Sequence, residues 1–165
     1  PIGRGPALSH GQGMFNIGDH TMLCYECWPG GGIRLARWQR DRIGGFRFFG
    51  SGTEDFAAGA EDSQQRHCVT CAVDPQGANA QIFVNADGLN EHSELTVELL
   101  DEQFHPLAGY SGDACIPLDT PGLRQQVRWK DRDQVTADSP IRLRANFGGL
   151  RPEDVRLYAM YMSAD

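Results

Sequence analysis

Nowhere in this chain do apolar residues recur at helical spacing over three turns. Short segments instead alternate apolar and polar residues and are cut off by glycine and proline. That pattern restricts the fold to strands. The expected strands cover 20–28, 33–39, 67–73, 81–85, 94–100, 125–130, 141–147 and 155–162. Turn chemistry separates most of them: Pro29-Gly30-Gly31-Gly32, Asp74-Pro75-Gln76-Gly77, Asp87-Gly88, Pro121-Gly122 and Gly148-Gly149. Alternation is clearest in ELTVEL at 94–99 and IRLRA at 141–145, where one face of each strand turns inward and the other meets water.

The pattern lapses at 44–65, GGFRFFGSGTEDFAAGAEDSQQ, a Gly-, Ala- and acid-rich stretch that reads as a long loop. The expected organisation is therefore a hairpin at 1–47, a linker at 48–66 and an antiparallel two-layer β-sandwich at 67–165 built from six strands. The chain opens on Pro1 with no Met, and is expected to be processed or cut from a longer protein.

The formal net charge of -7 excludes functions that depend on neutralising many phosphates, so nucleic acid is not an expected partner. Arg34, Arg37, Arg40 and Arg42 read as a solvated hairpin face. No apolar run approaches the roughly 20 residues needed to cross a bilayer, so no membrane partner is expected either.

Two Cys-x-x-Cys pairs, Cys24/Cys27 and Cys68/Cys71, raise the question of zinc. A zinc knuckle bends so that both sulfurs reach one ion at about 2.3 Å. In extended backbone, residues i and i+3 face opposite sides. Val69 and Thr70 favour extension, and the turn after the first pair follows Cys27 instead of lying between the cysteines. Both pairs therefore read as strand residues whose thiols point apart, with no cofactor expected and zinc as an alternative in which His67 is the natural addition. Disulfides in an exported protein would leave Cys115 as an odd thiol. Asn85, Asp87, Asn90 and Glu91 surround a glycine and could offer oxygens to calcium, although Asp87-Gly88 is first a turn signal.

The second half carries an ordered run: IFVNADG at 82–88, ELTVELLDEQFHPLAGYSGDAC at 94–115, QQVRWK at 125–130, PIRLRANF at 140–147 and VRLYAMYM at 155–162. This order resembles the C-terminal β-sandwich that follows a five-bladed β-propeller in bacterial proteins similar to glycoside hydrolases of the furanosidase and arabinanase type. The stretch GQGMFNIGDHTMLCYECWPGGGIRLARWQRDRIGGF at 11–46 resembles the last blade of such a propeller. The resemblance implies a non-catalytic accessory module, secreted or periplasmic, that supports a catalytic propeller domain and contacts carbohydrate. Catalytic carboxylates would lie in earlier blades that these residues do not include.

Sugar binding uses flat apolar faces beside polar side chains, which makes Trp28, Trp38, Tyr110 and Trp129 the candidate platforms. The competing reading of Trp38 and Trp129, both in strand-like segments, is as core residues. Glu54-Asp55 in FGSGTEDFAAG is similar to a Gly-Thr-Glu-Asp-aromatic stretch in another group of β-jelly-roll glycoside hydrolases, and would make the chain itself a hydrolase. That needs a second carboxylate about 5 Å away for retention, or about 6.5–9.5 Å for inversion. A last alternative is a structural assembly subunit, a homo-oligomer paired through open strand edges.

Overall fold

In the computed structural model, residues 7–28, 32–47 and 66–164 are described. Among the described residues nine strands run in order: β1 (Ala7–Ile17), β2 (His20–Trp28), β3 (Ile33–Gln39), β4 (His67–Val69), β5 (Ala80–Asp87), β6 (Ser93–Leu100), β7 (Gly122–Gln126), β8 (Arg142–Gly149) and β9 (Arg156–Ala164). The described residues contain no α-helix, only two short 3-10 turns at Gly112–Ala114 and Pro152–Asp154. The fold is all-β with antiparallel sheets, as the alternation predicts.

The chain divides into two compact units at Gly44/Gly45. The boundary falls three residues before the expected one because Phe46 joins the second unit: its N–H donates to Leu157 O (2.8 Å), and its carbonyl accepts from Leu157 N–H (2.9 Å).

The first unit is a sheet of order β1-β2-β3, so the expected hairpin has a third strand. The signal for β1 was hidden because this strand shifts register between His10 and Met14, with Gly13 at φ 76°, which breaks the alternation. Cross-strand partners put Met14, Leu23 and Ala36 in one row on one face, with Asn16, Thr21 and Trp38 beside them. The opposite face carries Phe15 with Met22, and Leu35 with Cys24. Thr21 is the only buried side chain among those described in this unit. Its hydroxyl donates to Asn16 Oδ1 (2.6 Å) and accepts from the Asp41 N–H (2.7 Å).

The second unit packs a sheet of order β4-β8-β6 against one of order β7-β5-β9. Leu95, Val97 and Leu99 from β6, Leu143, Ala145 and Phe147 from β8, and Ile82, Val84 and Ala86 from β5 form its interior, all nearly inaccessible. In β9 a bulge opposite Asn85/Ala86 inserts Tyr158 and resets the alternation. Leu157 before it and Met160 and Met162 after it therefore all face the core. Gly88, at φ 74°, lies so close to the 3-10 turn at 152–154 that a Cβ would come 1.9 Å from Asp154 O.

Two strands differ from expectation. β4 stops at Val69 because Thr70 breaks the ladder: the Leu143 N–H donates to the Thr70 hydroxyl (3.0 Å), while the Thr70 carbonyl accepts from Arg142 (3.2 Å). Pairing resumes only at Val73 with Ile141. The segment expected at 125–130 is shifted to Gly122–Gln126, and Trp129 sits beyond it in isolated bridges to Cys115 and Arg132.

Candidate functional site

The free edge of β6 is closed by the long 101–121 connection. Leu107 N–H donates to Leu99 O (2.9 Å), Leu99 N–H to Tyr110 O (3.1 Å), and Leu95 exchanges backbone bonds with Leu118. The Val97 carbonyl takes the Trp129 indole N–H (3.1 Å) and the Cys115 thiol (3.3 Å). This connection partly roofs the sheet face that points away from the core.

On that outer face, cross-strand register aligns His67, Asn146 and Thr96 in one row, and Val69, Arg144 and Glu98 in the next. Glu94 pairs with Gly148 and lies over it, where a Cβ would come 2.9 Å from the carboxylate. Glu98 and Asn146 are buried although they alternate outward, with 6 % and 2 % exposure.

Glu98 is the hub. Its Oε1 accepts from the Gly112 N–H (2.7 Å), and its Oε2 from Arg144 Nε (2.6 Å) and Asn146 Nδ2 (2.9 Å); Arg144 also forms an ion pair with it. Burial opposes its charge, but the bonds from Gly112, Asn146 and Arg144 outweigh that, and its pKa lies below the usual glutamate value. The neighbouring Cys115 thiol is pushed up to about 11, first by burial and then by the Glu98 charge, so it stays protonated and unreactive at neutral pH.

Because the ionised Glu98 only accepts, the amide nitrogen of Asn146 must face it. Asn146 Oδ1 is left buried with no partner. The residue Asn146 borders an open depression of about 470 Å³ with Glu94, Thr96, Glu98, Asp113 and Lys130.

The sites expected from sequence fare differently. Tyr110 and Trp129 are core residues: they are 8 % and 2 % exposed and meet edge to face at 5.0 Å, so neither ring offers a face to a sugar. Trp38 is half-buried in the N-terminal sheet, and the Trp28 side chain lies outside the described residues, as do Glu54 and Asp55. Cys68 packs against the core and its pKa is raised by burial, while Cys71 is exposed beyond the ladder break at Thr70. Cys24 is half-buried and the side chain of Cys27 lies outside the described residues. Among the described residues, no three His, Cys, Asp or Glu side chains converge in a way that could hold a metal ion.

The calcium set does not assemble. Asn85 is fully buried and donates to the Tyr161 hydroxyl (3.4 Å), Asp87 Oδ1 accepts from the Gly88 N–H (2.9 Å), and Asn90 Oδ1 accepts from the His92 N–H (2.8 Å). The shallow depression that Asp87 and Asn90 share with Asp154 also contains Arg156, a cation that opposes calcium.

The outer-face cluster escaped sequence reasoning because Glu98 and Asn146 occupy the outward phase of an alternating strand, which reads as solvent. Their one visible signal is the length of the connection after β6, far more than a hairpin needs. No family model matches this chain, and no curated protein or solved structure gives a significant match.

Proposed function

We propose that this chain is a non-catalytic accessory β-sandwich module of a bacterial, secreted or periplasmic carbohydrate-processing protein. In this reading its N-terminal sheet packs as an inner layer against a catalytic domain. The sequence resemblance supplies the carbohydrate context. One structural observation supports the packing role: the N-terminal sheet carries apolar side chains on both faces. Met14 (59 % exposed) lies on one face; Phe15 and Leu35 lie on the other. A sheet that borders water on one side alternates polar and apolar faces, whereas an inner layer is apolar on both.

The chemistry of the sandwich agrees with a non-catalytic role. Its buried carboxylate is tied up by three hydrogen-bond donors, and its half-buried thiols, Cys68 and Cys115, have raised pKa values. The test assays the purified chain on arabinan, xylan and aryl glycosides. No turnover is expected. Hydrolysis that disappears in Glu54→Gln would replace this reading with the hydrolase one.

The same exposed faces favour a second reading, a homo-oligomeric assembly subunit in which two N-terminal sheets stack. Sedimentation across a wide concentration range separates the two readings. Concentration-dependent association that Leu35→Ser weakens supports self-assembly, and a monomer throughout supports a different partner.

A further inference from the structure

The two sheets of the sandwich end in the strands β4, β6, β7 and β9, and three of these edges are blunted in the ways natural sheets avoid chance pairing. The β6 edge is covered by the 101–121 connection, β4 is only three residues long, and β7 is five residues long with Arg124 at its centre. The remaining edge, β9, is nine residues long. From Leu157 to Ala164 it carries neither a charged residue nor a proline.

Register shows which way its backbone points. The Val127 N–H donates to Ile82 O (2.9 Å), so Ile82 and Val84 turn their peptide groups toward β7, while Gln81, Phe83 and Asn85 turn theirs toward β9. Their partners Ser163, Tyr161 and Ala159 face β5 in return, which leaves Met160 and Met162 directing N–H and C=O away from the sheet. Phe46 pairs with Leu157 at one end of this edge. The outward backbone groups of Met160 and Met162 have no partner among the described residues.

The spelling of the edge decides what fits it. Residues 158–164 lie beyond Phe46, and an antiparallel second copy pairs along that whole length in one register, with Tyr161 opposite its own counterpart. A shift one way meets Phe46; a shift the other way shortens the overlap. In that register Met160 lies opposite Met162 of the second copy and Ala159 opposite its Ser163, so apolar meets apolar and no charge is buried. Each chain has a formal net charge of -7, and an uncharged edge is where two copies meet with least repulsion.

We infer that β9 is a dimerisation edge: two copies join antiparallel through the backbone of Met160 and Met162, merging two three-stranded sheets into one of six strands about a two-fold axis at Tyr161. The inference goes beyond the accessory role, and it uses a different surface from the stacked N-terminal sheets.

The test combines sedimentation of the full chain from micromolar to millimolar concentration with amide hydrogen exchange. A monomer–dimer equilibrium is expected, in which exchange at Met160 and Met162 slows as concentration rises while the β7 edge is unaffected. Tyr161→Glu keeps an acceptor for the Asn85 amide and a partner for Arg124, but sets two carboxylates opposite each other; it should weaken dimerisation about tenfold. Leu35→Ser should leave this dimer unchanged. Mild oxidation should link Tyr161→Cys into a covalent dimer, because directly opposed residues lie within disulfide reach, and should not link Ser163→Cys, whose twin lies about 13 Å away. A monomer throughout overturns the inference, whether the Met160 and Met162 amides exchange freely or are protected at every dilution by another part of the chain. So does a dimer that Leu35→Ser dissociates, that Tyr161→Glu leaves intact, or that cross-links equally in both cysteine variants.

Discussion

The N-terminal sheet and each sheet of the sandwich have three strands, yet among the described residues only the sandwich has an interior. Its two sheets bury each other's apolar faces, down to Ile82, Leu95 and Val97 at 1 % exposure or less. In the N-terminal sheet Ile17 and Ile33 are 58 % and 84 % exposed, and only the polar Thr21 is buried among the described side chains. Strand number is thus equal while burial is not. What separates the two is a second layer to close on, the main source of favourable free energy in such folds.

Substitutions that strike one region and spare the other probe this contrast. The largest effect is expected from Trp129→Ala, which removes a core ring and leaves the Val97 carbonyl short of a donor; a loss of about 4 kcal/mol should appear in denaturant unfolding of the sandwich. Glu98→Ala should cost about 3 kcal/mol, because Arg144 and the Gly112 N–H lose their anion.

Acid should mimic part of that change. The folded-state pKa of Glu98 is depressed, so its contribution is complete above the ordinary glutamate value of about 4.3 and is lost as pH falls through the lower folded value. In Glu98→Gln, the slope of stability against pH on that acid limb should shrink by about one proton.

Thr21→Val should cost about 1 kcal/mol, with faster hydrogen exchange confined to the N-terminal sheet and the Asp41 amide. If it lowered protection in β5 or β6, the two regions would not be energetically separate. Smallest in stability is Leu35→Ser, within about 0.5 kcal/mol, but it should visibly reduce binding of a hydrophobic dye. No change in dye signal would show that this face is not the exposed apolar surface described.

The strands were legible where apolar alternation is regular, as in β6 and β8, because a half-buried strand imposes period two. Legibility failed where a local event resets that period: the register shift in β1, the Thr70 hydroxyl replacing a backbone acceptor, and the inserted Tyr158 in β9. The candidate site was harder still. Nothing in the spelling of β6 says that its outward Glu98 is roofed, since the roof is a connection whose path depends on long-range pairing of Leu107, Tyr110 and Leu118. Trp129 and Tyr110 were eye-catching as platforms for the same reason that makes them core: large rings are the most effective fillers of a sandwich interior.

A slab that is adhesive on two opposite sides carries no terminator. If copies of it met face to face, each addition would present a fresh face and growth would be open-ended, in contrast to the closed symmetry of an ordinary dimer. In the proposed packing role, neighbours would cap both sides of the N-terminal sheet at once, and whatever supplied them would set the concentration at which this chain remains a discrete particle.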